Sequence, residues 1–590
     1  MKWNNIYKIG VMAILMVGSL SSCNDFLTIY PTDRIVGTDF WKTKSDVEQM
    51  VNGAYLSMIS YDVQERAIVW GAYRSDELVK LSDNNDIALE NIAAVNLLPT
   101  YKYCSWASFY KVINNCNIII NHAPEVMEED PEFTEGDYQV VRAQMLALRS
   151  LCYFYLVRAF RDVPYVTHSY EDDSQVEPIE QSSPDVVLQN CLDDLEEARK
   201  YIMRSGSYGR NDWRNWGYMT RDAVHALMAD IYLWRASMTH NAADYQQAIV
   251  FSDSVINAKD AYYNLYHEKD VINKEVDRYH LEEGMNAFRM LFNYNYGNAH
   301  ESILEWQYNG RNNSNRALEN YYYETGDDNN HQQVSIMMAS PIFNSTATNA
   351  NTAQGLKIYQ SKNDYRFWNN VYEANNDEAQ ELSIRKMVDA SGSTIDVTNT
   401  VGPTKSNSRE FKEFHQNWIV YRLPDVMLMK AEALVETAAS DSDRVSLKKA
   451  FDLVQAVNKR SMKKAATDTL KFETYQSKES MELLVMAERE RELCFEGKRW
   501  FDLMRYCYRH MEGVNIRSKL ADSDAWPELY QPMIRMIVRK YGQGGEGDAV
   551  TYKMKSEPYL YWPILESETK VNNLLKQTPV YIQEKSTSKN

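Results

Sequence analysis

The sequence predicts an all-helical protein, and three observations predict it. Between Tyr138 and Ala159, residues Tyr138, Val141, Met145, Leu148, Cys152, Tyr155 and Ala159 alternate spacings of three and four, one face of an α-helix. Only 22 glycines and 15 prolines occur among 590 residues, so little of the chain is built to turn or break. Similar helical patterns recur on both sides of this stretch, joined by short links.

Taken in order, the chain opens with Lys2 and Lys8 around an apolar stretch, Ile9–Leu20, of signal-peptide length and too short to span a bilayer. Leu20-Ser21-Ser22-Cys23 follows, the pattern of a bacterial lipobox. Residues 1–22 are expected to be a lipoprotein signal peptide, and Cys23 the lipid anchor, acylated on its thiol and amino group. Several acyl chains on one residue hold a protein stably at a membrane. No continuous apolar run of about 18 residues occurs anywhere, so no spanning helix is expected.

Helices are expected over Asp46–Ser60, Ser105–His122, Tyr138–Ala159, Pro184–Met203, Thr220–Met238 and Tyr245–Ala258. Asp162-Val163-Pro164 ends the third, because the residue before proline leaves the helical region. Thr220 reads as an N-cap, with Asp222 favourably placed in the first turn. A second block opens at Pro424 and covers Pro424–Thr437, Ser446–Met462, Ser480–Glu496 and Lys498–His510. The two blocks, about 40–260 and 418–510, suggest stacked helix hairpins of the tetratricopeptide type, without that repeat's full consensus. Between them, about 262–417, the periodicity fails and Asn, Ser, Thr and Tyr dominate. An irregular insert dense in aromatics is expected to bind ligand.

Composition narrows the function. A net charge of −18 excludes a nucleic-acid binder, which needs clustered Lys and Arg. Besides Cys23 there are Cys104, Cys116, Cys152, Cys191, Cys494 and Cys507, with no CxxC pair. No HExxH or GxSxG occurs, so no catalytic residue, metal or cofactor is assigned. Glu488–Glu496 reads as an ion-pair network, Glu488 with Arg491 and Arg489 with Glu492, with Gly497 as the C′ turn. Residues 542–547 fit GxGxxG, but a strand-like stretch is expected from Asp548 and no dinucleotide site.

The binding candidates are aromatic, since a surplus of amphipathic rings points to exposed stacking surfaces. With 41 tyrosines and 13 tryptophans the chain has rings to spare. Val69–Glu77 offers Trp70, Tyr73, Arg74 and Asp76, expected on a loop between helices; otherwise Trp70 and Tyr73 are core and Asp76 a helix cap. The irregular middle adds Tyr294, Tyr296, Trp306 and Trp368, while Trp106 and Tyr110, four apart, read as packing.

Several stretches resemble one family. They are Cys23-Asn-Asp-Phe-Leu27; Arg142–Arg149 with Tyr153–Arg158 and Asp162-Val-Pro164; Tyr421-Arg422 with Asp425–Leu434; Glu488–Arg505; and Leu560–Leu565 with Glu568 and Asn572–Pro579. Together they resemble the SusD/RagB family of outer-membrane glycan-binding lipoproteins, departing at Lys498, where the family often has His. The resemblance implies one SusD-like domain over residues 23–590, with four tetratricopeptide-like helix pairs. It implies a lipoprotein on the outer surface that delivers glycan, or in some members peptide, to a SusC-like TonB-dependent transporter, and no enzyme activity. It adds the loop before Ser105, supplying Asn96, Tyr101 and Tyr103. The other readings are a helical-repeat scaffold or peptide-binding protein, and a surface glycosidase, which would need two carboxylates about 5–9.5 Å apart.

Overall fold

A computed structural model describes residues 40–80, 85–172, 177–266, 279–282, 284, 287–293, 297–310, 313–322, 336–343, 358–359, 361, 363–371, 382–388, 415–463, 466–541 and 545–582. Cys23, Tyr294 and Tyr296 lie outside these residues.

The first block is helical as expected: α1 (Lys44–Met58), α2 (Tyr61–Ile68), α3 (Ile87–Ala93), α4 (Ala107–Glu129), α5 (Glu135–Phe160), α6 (Pro184–Tyr201), α7 (Arg214–Gly217), α8 (Arg221–Thr239) and α9 (Ala242–Tyr266). α4 runs past its expected end at His122, straight through Pro124. That proline leaves the Ile120 carbonyl without its helical donor, and the Tyr138 hydroxyl donates to it at 3.4 Å. Thr220 caps α8 as predicted, its hydroxyl accepting from the Ala223 N–H. α5 is long and apolar enough to cross a membrane by composition, beyond what a count of unbroken apolar runs reveals, but most of it is buried inside the protein.

The middle contributes α10 (Arg316–Tyr322) and α11 (Tyr365–Asn370). The second block supplies α12 (Leu423–Thr437), α13 (Arg444–Ser461), α14 (Lys478–Leu493) and α15 (Arg499–Arg509), and beyond it come three helices not expected from the sequence, α16 (Gln531–Val538), α17 (Gly545–Lys553) and α18 (Glu566–Val571). α17 corrects the strand expected from Asp548. The helix that precedes that glycine run is α16, not the strand a dinucleotide fold requires. Pro424 sits in the first turn of α12, where its missing N–H costs nothing.

The helices stack in sequence: α1 on α4, α4 on α5, α5 on α6, α6 on α8, α8 on α9, α9 on α12, α12 on α13 and α14. Among the described residues six short strands pair antiparallel: β1 (Leu78–Lys80) with β5 (Met337–Ala339), β2 (Val163–Pro164) with β3 (Gln181–Ser182), and β4 (Ser302–Trp306) with β6 (Trp418–Arg422). The last pair fastens the irregular middle to the second block, setting Trp306 opposite Trp418 and Ser302 opposite Arg422.

Beneath that pair lies a buried ionic core. Glu488 pairs with Arg491 at 2.7 Å, as the i,i+3 spacing predicts. Arg489 does not pair with Glu492: it takes Asp502 at 2.9 Å and Asp425 at 3.0 Å. Glu492 is shared among Arg366, Arg422 and Arg460. Burial raises the pKa of its carboxyl, but the three guanidiniums outweigh that and hold it below the ordinary range. α14 ends at Leu493, so the first left-handed residue after its cap is Phe495, with φ 65°, ahead of Gly497 at 68°. Cys104, Cys116, Cys152, Cys191, Cys494 and Cys507 are buried and free.

Candidate functional site

Val69–Glu77 is not an exposed loop. α2 continues as a π-turn over Val69–Tyr73, and every residue from Val63 to Leu78 is buried. Trp70 has no exposed surface; its indole N–H donates to the Tyr103 carbonyl at 2.8 Å and its ring stacks on Phe109 at 5.2 Å. The Tyr73 hydroxyl donates to the Leu89 carbonyl at 3.0 Å. Arg74 donates to the carbonyls of Leu560 and Tyr559 and lies over the Trp500 ring at 4.2 Å. Asp76 receives Arg499 through two bonds of 2.9 and 3.1 Å and also pairs with Arg539. Burial pushes the Asp76 carboxyl up, and those two cations more than reverse it. These four side chains form core and ion pairs, and none presents a face to a sugar.

The two described candidate rings of the middle are buried as well. Trp306, on β4, is 4% exposed, and Trp368, on α11, is 3% exposed. Tyr103 is buried, its hydroxyl donating to Asp86 at 2.8 Å. Of the candidates read from the sequence, Asn96 is exposed and accepts a hydrogen bond from Lys553, and Tyr101 is half-buried. Trp106 packs edge-on against Tyr110, centroids 5.6 Å apart, as their spacing predicts.

The most exposed tryptophan the structure records lies elsewhere, on the link between α6 and α8. Trp213 is 46% exposed. Its ring packs edge-on against Tyr218 at 5.2 Å; Tyr218 stacks on Tyr55 of α1 at 4.5 Å and meets Tyr208 edge-on at 6.1 Å. The link is rigid by construction. Asn215, buried, accepts from the Gly206 N–H at 2.7 Å and donates to the Gly209 carbonyl at 2.6 Å. The Tyr262 hydroxyl donates to the Arg210 carbonyl at 3.0 Å. Gly209 adopts φ +108°, a conformation open to glycine. Asp212 receives Arg214 through bonds of 2.9 and 2.6 Å, and that guanidinium lies over Tyr208 at 4.8 Å.

Polar groups surround the rings. Tyr218 donates to the exposed Asn52 side chain at 2.6 Å. A Cβ on Gly217 would touch both Trp213 and Gln307, so an amide side chain flanks the indole. A partly bare indole, fixed before ligand arrives and flanked by amides, can stack on a sugar's C–H face while its neighbours bond hydroxyls. Helical periodicity hides this site, because Trp213 and Tyr218 fall between two predicted helices. The signal was the composition of the link, Ser205-Gly-Ser-Tyr-Gly-Arg-Asn-Asp-Trp213, turn-formers interleaved with rings.

The chain matches known proteins over most of its length. Residues 234–581 match the family model described as the SusD family, and residues 25–233 one described as "Starch-binding associating with outer membrane". The border between the two falls inside α8. SusD-like protein P38 of Formosa agariphila is 23% identical over 559 residues, covering 90% of this chain and 97% of that protein. SusD-like protein P2 of the same organism is 22% identical over 521 residues, covering 85% and 90%. A crystal structure of a SusD superfamily protein from Bacteroides thetaiotaomicron aligns with TM-score 0.61 at 19% identity, over 92% of this chain and 99% of that one. One from Bacteroides vulgatus aligns with TM-score 0.62 at 17% identity, over 91% and 99%.

Proposed function

The chain belongs to the SusD family, and on that premise we propose that it is a cell-surface lipoprotein that binds a glycan and passes it to a SusC-like TonB-dependent transporter. It acts by binding, without turnover. The observation that carries the glycan reading is Trp213, an indole left 46% exposed on a rigid aromatic link. The family description of starch binding at the outer membrane supports both ligand class and location. In this reading residues 1–22 are removed and Cys23 holds residues 23–590 to the outer membrane, facing outward. Asn96 and Tyr101 remain accessible as further contacts, and Tyr294 and Tyr296 remain candidates outside the described residues.

The test is a glycan-array and affinity-gel screen of the full chain in detergent, with reducing ends assayed on every polymer retained. The proposal expects retention on at least one glycan and no new reducing ends. Failure to retain any glycan, or cleavage abolished by a single carboxylate substitution, would overturn it.

A further inference from the structure

Beside the aromatic link lies a cluster of positive groups that its neighbouring carboxylates answer only in part, unexpected in a chain of net charge −18. Arg221 opens α8, three residues after Tyr218. Its backbone N–H donates to the Met203 carbonyl at 2.8 Å, and the Ser205 and Thr220 hydroxyls meet at 3.2 Å. These bonds staple the two ends of the link together, bringing Arg204 to Arg221. Arg199, in the last turn of α6, completes the group, and His225 follows Arg221 by one helical turn. Burial lowers the pKa of Arg221, and the nearby charges of Arg204 and Arg199 lower it further, against Asp222. Burial, and after it the charges of Arg199 and Arg221, push His225 down to about 4.

Few anions answer these cations. Arg199 has Glu196 at 2.6 Å, but among the described residues neither Arg204 nor Arg221 forms an ion pair, and the Arg221 Nε is buried without a hydrogen-bond partner. Asp222 is 5% exposed; burial raises its pKa, and the Ser205 hydroxyl and the charges of Lys259, Arg221 and Arg204 offset that only in part, so one carboxyl faces several cations. Like charges held this close repel, and a bound anion relieves that repulsion. The guanidinium fork suits the paired oxygens of a carboxylate or sulfate better than a neutral hydroxyl.

We propose that the glycan taken at this face is acidic: Trp213 and its aromatic neighbours hold the sugar ring, while Arg204 and Arg221 receive a sulfate ester or uronate carboxylate on the same chain. This rests on the glycan-binding reading and narrows it to a ligand class. The local charge overrides the acidic balance of the whole protein, because fields at contact distance are set by the nearest groups.

The experiment titrates the full chain in detergent, at low and high salt, against heparin as the sulfated polymer, polygalacturonate as the uronate polymer, amylopectin as the neutral one, and phosphatidylglycerol vesicles. Arg204→Ala changes an exposed side chain and Arg204→Lys keeps its charge; Arg221→Gln removes the second cation. The proposal expects salt-sensitive binding to heparin or polygalacturonate, weakened about five- to ten-fold by Arg204→Ala and by Arg221→Gln, largely restored by Arg204→Lys, and amylopectin binding unaffected by all three. The polymer that binds separates sulfate from carboxylate. Retention on amylopectin alone would overturn the acidic assignment and leave the glycan reading standing, whereas no binding to any polymer would remove both. Acidic-polymer binding unchanged in Arg204→Ala and Arg221→Gln, or arginine-dependent binding to vesicles but not polymers, would overturn the assignment too.

Discussion

Gly71 and Gly497 meet backbone to backbone: a Cβ on Gly71 would lie 1.8 Å from the Gly497 carbonyl oxygen. The π-turn carrying Trp70 and Tyr73 is thus pressed onto the turn that follows α14, and no side chain fits between them. This contact explains why an aromatic segment with a binding-site composition is core. Gly71→Ala should destabilise the fold by about 2–4 kcal/mol, in the range of strained or overpacked core substitutions. Chemical denaturation checks it; a loss under about 0.5 kcal/mol would mean that the two turns separate freely.

Glu492 is the shared anion of Arg366, Arg422 and Arg460. Removing one partner from a buried ionic group leaves the others uncompensated, so Glu492→Gln should cost about 3–5 kcal/mol. Because its folded pKa is depressed, Glu492 contributes stability that is present above its unfolded value near 4.5 and is lost as pH falls below it. The gap between wild type and variant should narrow on acidification, read by denaturant midpoints at pH 7 and pH 4.

His225 gives a second pH signature, in a different window. Its folded pKa is about 4 against an ordinary 6.5, so the folded state disfavours the proton. Its contribution is complete above pH 6.5 and is lost as pH falls from 6.5 through 4. Wild type should therefore lose more stability than His225→Gln between pH 7 and pH 4.5, by on the order of 1–3 kcal/mol. Parallel pH profiles for the two proteins would contradict the assignment.

Cys23→Ala should abolish acyl labelling and release the protein from the outer-membrane fraction, as membrane fractionation with a labelled fatty acid would show. A labelled, membrane-bound variant would move the anchor to another residue.

Much of the fold was legible in the sequence. α5, α6, α8 and α12 fall within a few residues of their predicted spans, because periodicity and caps such as Thr220 are local signals. The site was legible only in part. Asp76 and Arg499 pair across 423 positions, and no local pattern announces that the segment around Trp70 will be covered by a turn so distant. The same holds for Glu492, whose partners come from α11, β6 and α13 rather than from the i,i+3 neighbour Arg489. Trp306 and Trp368 lie in the irregular middle, yet β4 and α11 carry them into the core.

The central claim is that affinity resides on the exposed ring of Trp213 and not on the buried rings. It is tested most directly by measuring stability and glycan affinity on two variants, Trp70→Ala and Trp213→Ala, with a glycan that wild type binds. Truncating the buried Trp70 should cost about 3–5 kcal/mol of stability. Trp213→Ala should leave the melting temperature nearly unchanged and weaken binding about ten-fold or more, taking ~1–3 kcal/mol per stacked ring as a guide. Undiminished affinity in Trp213→Ala, or a loss of affinity in a stably folded Trp70→Ala, would contradict the account.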